Sequence, residues 1–263
     1  MIGLPWIYLS LLTIGYGLAL TYGHLGWLAG ISVALLLTAG FAVRQQQVRI
    51  GHYLGHGLFI FMALALALHW LPGFYNGRGI NPQRFTDDAV TFALYLNLDK
   101  PLIGFWLLLV CPWIVGRRSL RLGVYATALS LSLGAVLALG GALLLGVIIW
   151  APKWPDQAWL WLLNNLLLVT LVEEALFRGY IQGGLTRCFK NLPYGENLAL
   201  LLASLLFGLA HVGAGWQWVL LASLAGVSYG LAYRFGGLGA AIATHFGLNL
   251  LHFGLFTYPM LAS

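Results

Sequence analysis

Long apolar stretches dominate this chain, and short polar segments separate them. A membrane-crossing helix needs roughly 20 apolar residues, within a range of about 17–25. The pattern predicts nine helices, over 4–20, 25–43, 53–72, 102–116, 123–150, 158–188, 197–212, 216–233 and 238–257. The first could lie in the membrane interface, and the fourth is short. The stretch 158–188 is too long for one upright span; it reads as a tilted helix that protrudes, or as a span with an amphipathic extension. Runs such as Ala126–Trp150 lack the alternation of a barrel strand. The expected fold is all-α, a polytopic transmembrane helix bundle of eight to nine spans. N-terminal helices and an outer loop would occupy 1–157, and a polar-bearing helical core 158–263, within one membrane unit.

Composition agrees with the pattern. Hydrophobic residues make up 60% and charged residues 8%, against about 25% charged in soluble domains. A soluble enzyme, a disordered chain and a fibrous protein are excluded. The net charge of +6 reads as topology, because the basic residues sit between apolar runs. With the N-terminus inside, the inner segments hold Arg44, Arg49, Arg117, Arg118, Arg121, Arg187, Lys190 and Arg234. The outer segments hold only Arg78, Arg84, Lys100 and Lys153. The expected location is the bacterial cytoplasmic membrane, N-terminus inside. The first run has no Lys or Arg before it and no clear cleavage site, so it is expected to be retained. No basic patch with interleaved aromatics points to nucleic acid. Cys111 and Cys188 are expected to be inert thiols without a disulfide.

The longest connection, 73–101, carries the turn signals Asn76-Gly77 and Asn81-Pro82. Its apolar patch Ala89–Leu96 is too short to span and is expected to lie in the interface or dip into it. Trp150, Trp154, Trp159, Trp161, Trp216 and Trp218 read as interfacial belt residues. Gly179-x3-Gly183 and Gly226-x3-Gly230 suit close helix packing.

Chemistry concentrates in the last four helices. An ionised group at the bilayer centre costs at least about 2.5–3.5 kcal/mol, so such residues are functional candidates. Glu173 and Glu174 are adjacent, and Arg178 lies i+4 from Glu174 on one helix face. Glu173 points about 100° away and is left for general acid or base work. Phe207 precedes His211 by one turn. His245 and Asn249 share a face at i and i+4, with His252 one turn further. At roughly 1.5 Å per residue from the inner helix ends, Glu173 and His211 both lie about 21 Å deep, and His245 and Asn249 about 12 and 18 Å. One wet cavity could gather them. Glu173 and His211 could hold and deprotonate a water, with His245 and Asn249 as oxyanion donors. There is no HExxH and no GxSxG. Zinc held by Glu173, His211 and His245 is chemically open.

Three motifs in order, Glu173-Glu174…Phe177-Arg178-Gly179, Phe207…His211 and His245…Asn249, resemble the CPBP family, the CAAX proteases and bacteriocin-processing enzymes also called the ABI family of intramembrane glutamic endopeptidases. The resemblance covers about 158–257. It implies water activation by Glu173 and His211, an oxyanion site at His245 and Asn249, and support or substrate positioning by Glu174, Arg178 and Phe207. It implies no cofactor, with zinc the lesser alternative. The substrate would be a membrane-associated or lipid-anchored protein or peptide; the motifs name neither it nor the oligomeric state. The family core has eight spans, so nine predicted helices imply an N-terminal elaboration or a miscounted helix. The competing reading is a non-proteolytic membrane scaffold or self-immunity protein that keeps the cavity. A proton relay through Glu173, His211 and His245 is disfavoured by the absence of an inverted repeat, and haem at His52 and His56 by the lack of a matching pair.

Overall fold

The computed structural model describes residues 3–44, 49–116 and 118–262. Arg117, one of the inner basic residues, lies outside them. The chain is mostly helical. Among the described residues, nine helices fall on the nine apolar stretches: α1 Gly3–Thr21, α2 Ala29–Arg44, α3 Arg49–Ala67, α4 Pro101–Val110, α5 Leu120–Leu144, α6 Ala158–Cys188, α7 Gly195–Leu209, α8 Trp216–Gly236 and α9 Leu238–Leu255. Five of these, α3, α5, α6, α8 and α9, are long and apolar enough to cross a membrane. Of the others, α2, α4 and α7 are shorter apolar helices, and the Leu9–Thr21 part of α1 is apolar too. The chain is thus built as an integral membrane protein.

The connection 73–101 departs from an all-α fold. Its apolar patch, too short to span as expected, forms no helix. Instead β1 Gly77–Gln83 pairs with β2 Phe92–Leu96 in a two-stranded hairpin, so the described fold is not purely α. Pairing satisfies backbone groups that a short apolar loop would leave open. Alternate residues of β2 then face inward, and Leu94 is buried.

The fold divides into two compact units. The first holds α1–α4. There α2 and α3 pack backbone to backbone at Gly55, where a Cβ would lie 2.8 Å from Val43 N. Trp106 of α4 stacks on Phe59 at 3.8 Å between centroids and donates its indole N–H to Leu36 O at 2.8 Å. His52, one of the two haem candidates, bonds through Nδ1 to Val43 O at 2.9 Å. Cys111 is buried, whereas Cys188, in the second unit, is exposed, and neither is joined in a disulfide.

The second unit comprises 79–94 and 113–263, so residue 157 falls within it. Ser119 caps α5, its Oγ accepting from Leu122 N at 3.2 Å, which meets one orphan donor of the first turn. Gly237 reverses the chain between α8 and α9 at φ +80, a left-handed conformation that costs glycine little. At Gly208, α7 meets α8 so closely that a Cβ would overlap Ser223 Oγ. The tail crosses back to pair with the α5–α6 connection, Thr257 N bonding Ile149 O at 3.0 Å and Leu261 N bonding Val147 O at 2.9 Å.

The 31 residues of α6 are not uniformly wound. Two stretches, Asn165–Thr170 and Ala175–Gln182, take the wider i→i+5 winding of a π-helix, and the ordinary α-turn Leu171–Glu174 lies between them. Such windings are frequent at functional sites. Here they flank the two glutamates.

Candidate active site

The site is built around one buried charge pair on α6. Glu174 and Arg178 are fully buried, with Arg178 Nε 3.3 Å from Glu174 Oε2. The approach is a charge contact without hydrogen-bond alignment. A guanidinium has room there because α8 supplies glycine twice. A Cβ on Gly226 would sit 3.2 Å from Arg178 Nη2, and one on Gly230 3.4 Å from Nη1. The Gly226-x3-Gly230 spacing therefore does more than bring helices together: it opens a slot for a side chain. The cation also lies over the rings of Phe207 and Tyr229, at 5.4 and 6.0 Å, and a desolvated cation gains from such faces. Arg178 Nη1 donates to Ser204 Oγ at 3.4 Å. Three helices thus close on one arginine.

Glu174 has a second partner on α9. His245, also buried, donates from Nδ1 to Glu174 Oε1 at 2.8 Å. That contact assigns the tautomer, as a carboxylate behind an imidazole does. The other nitrogen, Nε2, lies 4.0 Å from Glu173 Oε2. His245 therefore stands between the two adjacent carboxylates. Its ring stacks on Tyr229 at 4.3 Å and 12° and meets the edge of Phe207 at 5.6 Å.

Residue counting puts His211 about four turns into a span. Four turns is the whole length of α7, and the structure places it just past the last residue of that helix, half-buried, at the start of a single tight turn. Its Nδ1 donates to Phe207 O at 2.9 Å. The lone pair on Nε2 is then left for another donor. Asn249, one turn beyond His245, donates from Nδ2 to Asn165 Oδ1 at 3.3 Å. Asn165, buried on the first π-stretch of α6, also accepts from Thr170 Oγ1 at 3.3 Å.

A cavity of about 90 Å³ opens among these groups, lined on its polar side by His211, Tyr229, His245, Asn249 and His252. At about 30 Å³ for each water in the liquid, several water molecules fit. Glu173 is not among its lining residues; its side chain is 32% exposed and reaches the group through His245. The helices thus bring His211, His245 and Asn249 to one cavity, and both glutamates to His245. Among the described residues, no three His, Cys, Asp or Glu side chains group to hold a metal ion.

Residues 155–251 match the family model described as type II CAAX prenyl endopeptidase Rce1-like. The motif resemblance and the family model therefore agree on this stretch. No curated protein and no solved structure shows a match to the chain. The matched region contains all nine residues of the three motifs, from Glu173 to Asn249, and both ends of the Asn165–Asn249 contact. His252, which also lines the cavity, lies one residue beyond it.

Sequence reasoning missed four groups in this site. Asn165, Ser204 and Tyr229 are neutral and carry no motif signal. His252 has a place in the pattern, one turn past Asn249, but no role there. A buried Asn inside an apolar helix is the available signal for Asn165, since a polar amide in a span demands a partner.

Proposed function

We propose that the chain is an intramembrane endopeptidase that hydrolyses a peptide bond in a membrane-associated or lipid-anchored protein or peptide. Eight or nine of its helices cross the bilayer, and the N-terminus lies inside, as the basic residues between the helices favour. The observation that carries the reading is His245, held between Glu173 and Glu174 on the wall of a cavity that His211 and Asn249 also line.

In this reading the free nitrogen of His211 holds a water in the cavity, and Glu173, which lies outside the cavity wall beside His245, turns in to share it. The pair takes a proton as the water oxygen attacks the carbonyl carbon. Negative charge then builds on the carbonyl oxygen. Asn249 offers its second amide hydrogen to that oxygen. His245, when both ring nitrogens carry protons, keeps Nδ1–H on Glu174 and turns Nε2–H to it. Donors placed in advance at a developing oxyanion are worth most where water is excluded. As the C–N bond breaks, the leaving amine recovers the proton. Glu174 and Arg178 fix the position of His245, and Phe207 packs between Arg178 and the two histidines.

Membrane protein profiles of cells carrying wild type or Glu173→Gln test this. The uncut precursor accumulates in the variant, and with that precursor as substrate the purified variant cleaves about 1,000-fold more slowly. Chelators leave the wild-type rate unchanged, because the reading needs no metal. Undiminished cleavage by Glu173→Gln overturns it. An intact cellular phenotype in both Glu173→Gln and His211→Ala favours the scaffold or immunity reading instead.

A further inference from the structure

A second, larger cavity of about 380 Å³ lies in the same unit, away from the histidines. It sits where helices end. Arg118 comes just before α5, Arg187 is in the last turn of α6, and Tyr233 is in the last turn of α8, with Gly237 opening α9. Four of the helices that run through this unit therefore present one set of termini to it, at the level of lipid headgroups if they span.

Its charges are unbalanced. Arg234 on its rim is already committed, with Nη2 2.7 Å from Glu196 Oε2 and Nη1 donating to Asn197 Oδ1 at 2.8 Å. Arg118 and Arg187 have no carboxylate partner among the described residues. Arg118 makes one long bond to Arg234 O at 3.4 Å, and Arg187 lies over the Trp113 ring at 5.2 Å. Both are the charged neighbours of the Tyr233 phenol. Two glycines let them in. A Cβ on Gly237 would sit 3.1 Å from Arg118 Cγ, and one on Gly183 would sit 3.0 Å from Tyr233 Oη and 3.7 Å from Arg187 Nη1. The hydroxyl of Thr186 completes the polar wall.

We propose that this cavity binds the phosphate of an anionic phospholipid. Arg118 and Arg187 pair with the phosphate oxygens, and the Tyr233 hydroxyl donates to one of them. Guanidinium forks suit phosphate geometry, and basic pockets between helix ends at the membrane surface are where anionic headgroups are held. The acyl chains would lie along the apolar helix faces. The site is independent of the proteolytic reading, since none of its residues lines the other cavity.

The test uses the full-length purified chain in neutral detergent, titrated with fluorescent phosphatidylglycerol and, separately, phosphatidylcholine. Phosphatidylglycerol binds at least about 10-fold more tightly. The double variant Arg118→Gln/Arg187→Gln loses about 30-fold of that affinity, equivalent to about 2 kcal/mol at 1.4 kcal/mol per decade. Arg121→Gln, a cation in the first turn of α5 that faces Tyr125 instead, stays within about twofold, because it removes no phosphate contact. The double lysine variant keeps both charges and most of the affinity, which separates lost binding from lost folding. Equal affinity for the two lipids, or an unchanged double glutamine variant, overturns the proposal. Inorganic phosphate is the second arm: no displacement at millimolar concentration supports a lipid, and full displacement through the same arginines assigns the site to free phosphate and overturns the lipid.

Discussion

Replacing Arg178 by methionine isolates the buried charge that the site is built on. Methionine roughly fills the volume of the stem but leaves Glu174 facing a dry slot. Two unit charges 3.3 Å apart attract by about 5 kcal/mol at an effective dielectric of about 20. Removing one member of a buried pair costs about 3–5 kcal/mol, because the other charge is left uncompensated. Glu174 still has His245 at 2.8 Å, which places the expected loss at the lower end, about 3 kcal/mol. For a chain of this size each kcal/mol moves the thermal midpoint by about 2–4 °C. Arg178→Met should therefore melt about 6–12 °C below wild type, followed by tryptophan fluorescence in detergent. Adding Glu174→Gln removes the orphaned charge and should restore at least half of the loss. An Arg178→Met midpoint within about 2 °C of wild type, or a double variant no better than the single one, refutes the argument that this pair is both buried and mutually dependent.

Asn165→Ala frees the amide of Asn249 from its 3.3 Å contact. If Asn249 stabilises the oxyanion, kcat falls about 10- to 100-fold while KM holds; an equal change in both parameters, or none, shows that Asn165 does not orient it. Gly208→Ala places a methyl group against Ser223 and Val219 and should cost about 1–3 kcal/mol by overpacking, read as a lower melting midpoint. An unchanged midpoint would mean that α7 and α8 separate freely there.

Helix positions are legible in the sequence because the apolar stretches are nearly continuous, and each of the nine carries a helix among the described residues. The Glu174–Arg178 pair is legible too, since i,i+4 geometry is local. Contacts between helices are not. Spacing puts His245 and Asn249 on one face but says nothing of the direction in which that face points, so the bond from His245 to Glu174 cannot be read from it. Depth counting assumes uniform α-winding, which holds along α7 and brings His211 to its end, but not along α6, where two wide-wound stretches flank Glu173. The hairpin escapes notice because β2 has only five residues and its partner β1 holds Gly and Pro, both weak strand formers.

The wide turns of α6 bear on a mismatch that the apolar pattern alone leaves open. Thirty-one residues of uniform α-helix would measure about 46 Å at 1.5 Å each, well beyond a hydrocarbon layer about 30 Å thick. A rung closed over more residues gains less height per residue. The same thickness of membrane therefore accommodates more side chains. A wider rung also changes the angle between successive side chains, so one rod offers Asn165, Glu173, Glu174 and Arg178 to three different neighbours, α7, α8 and α9.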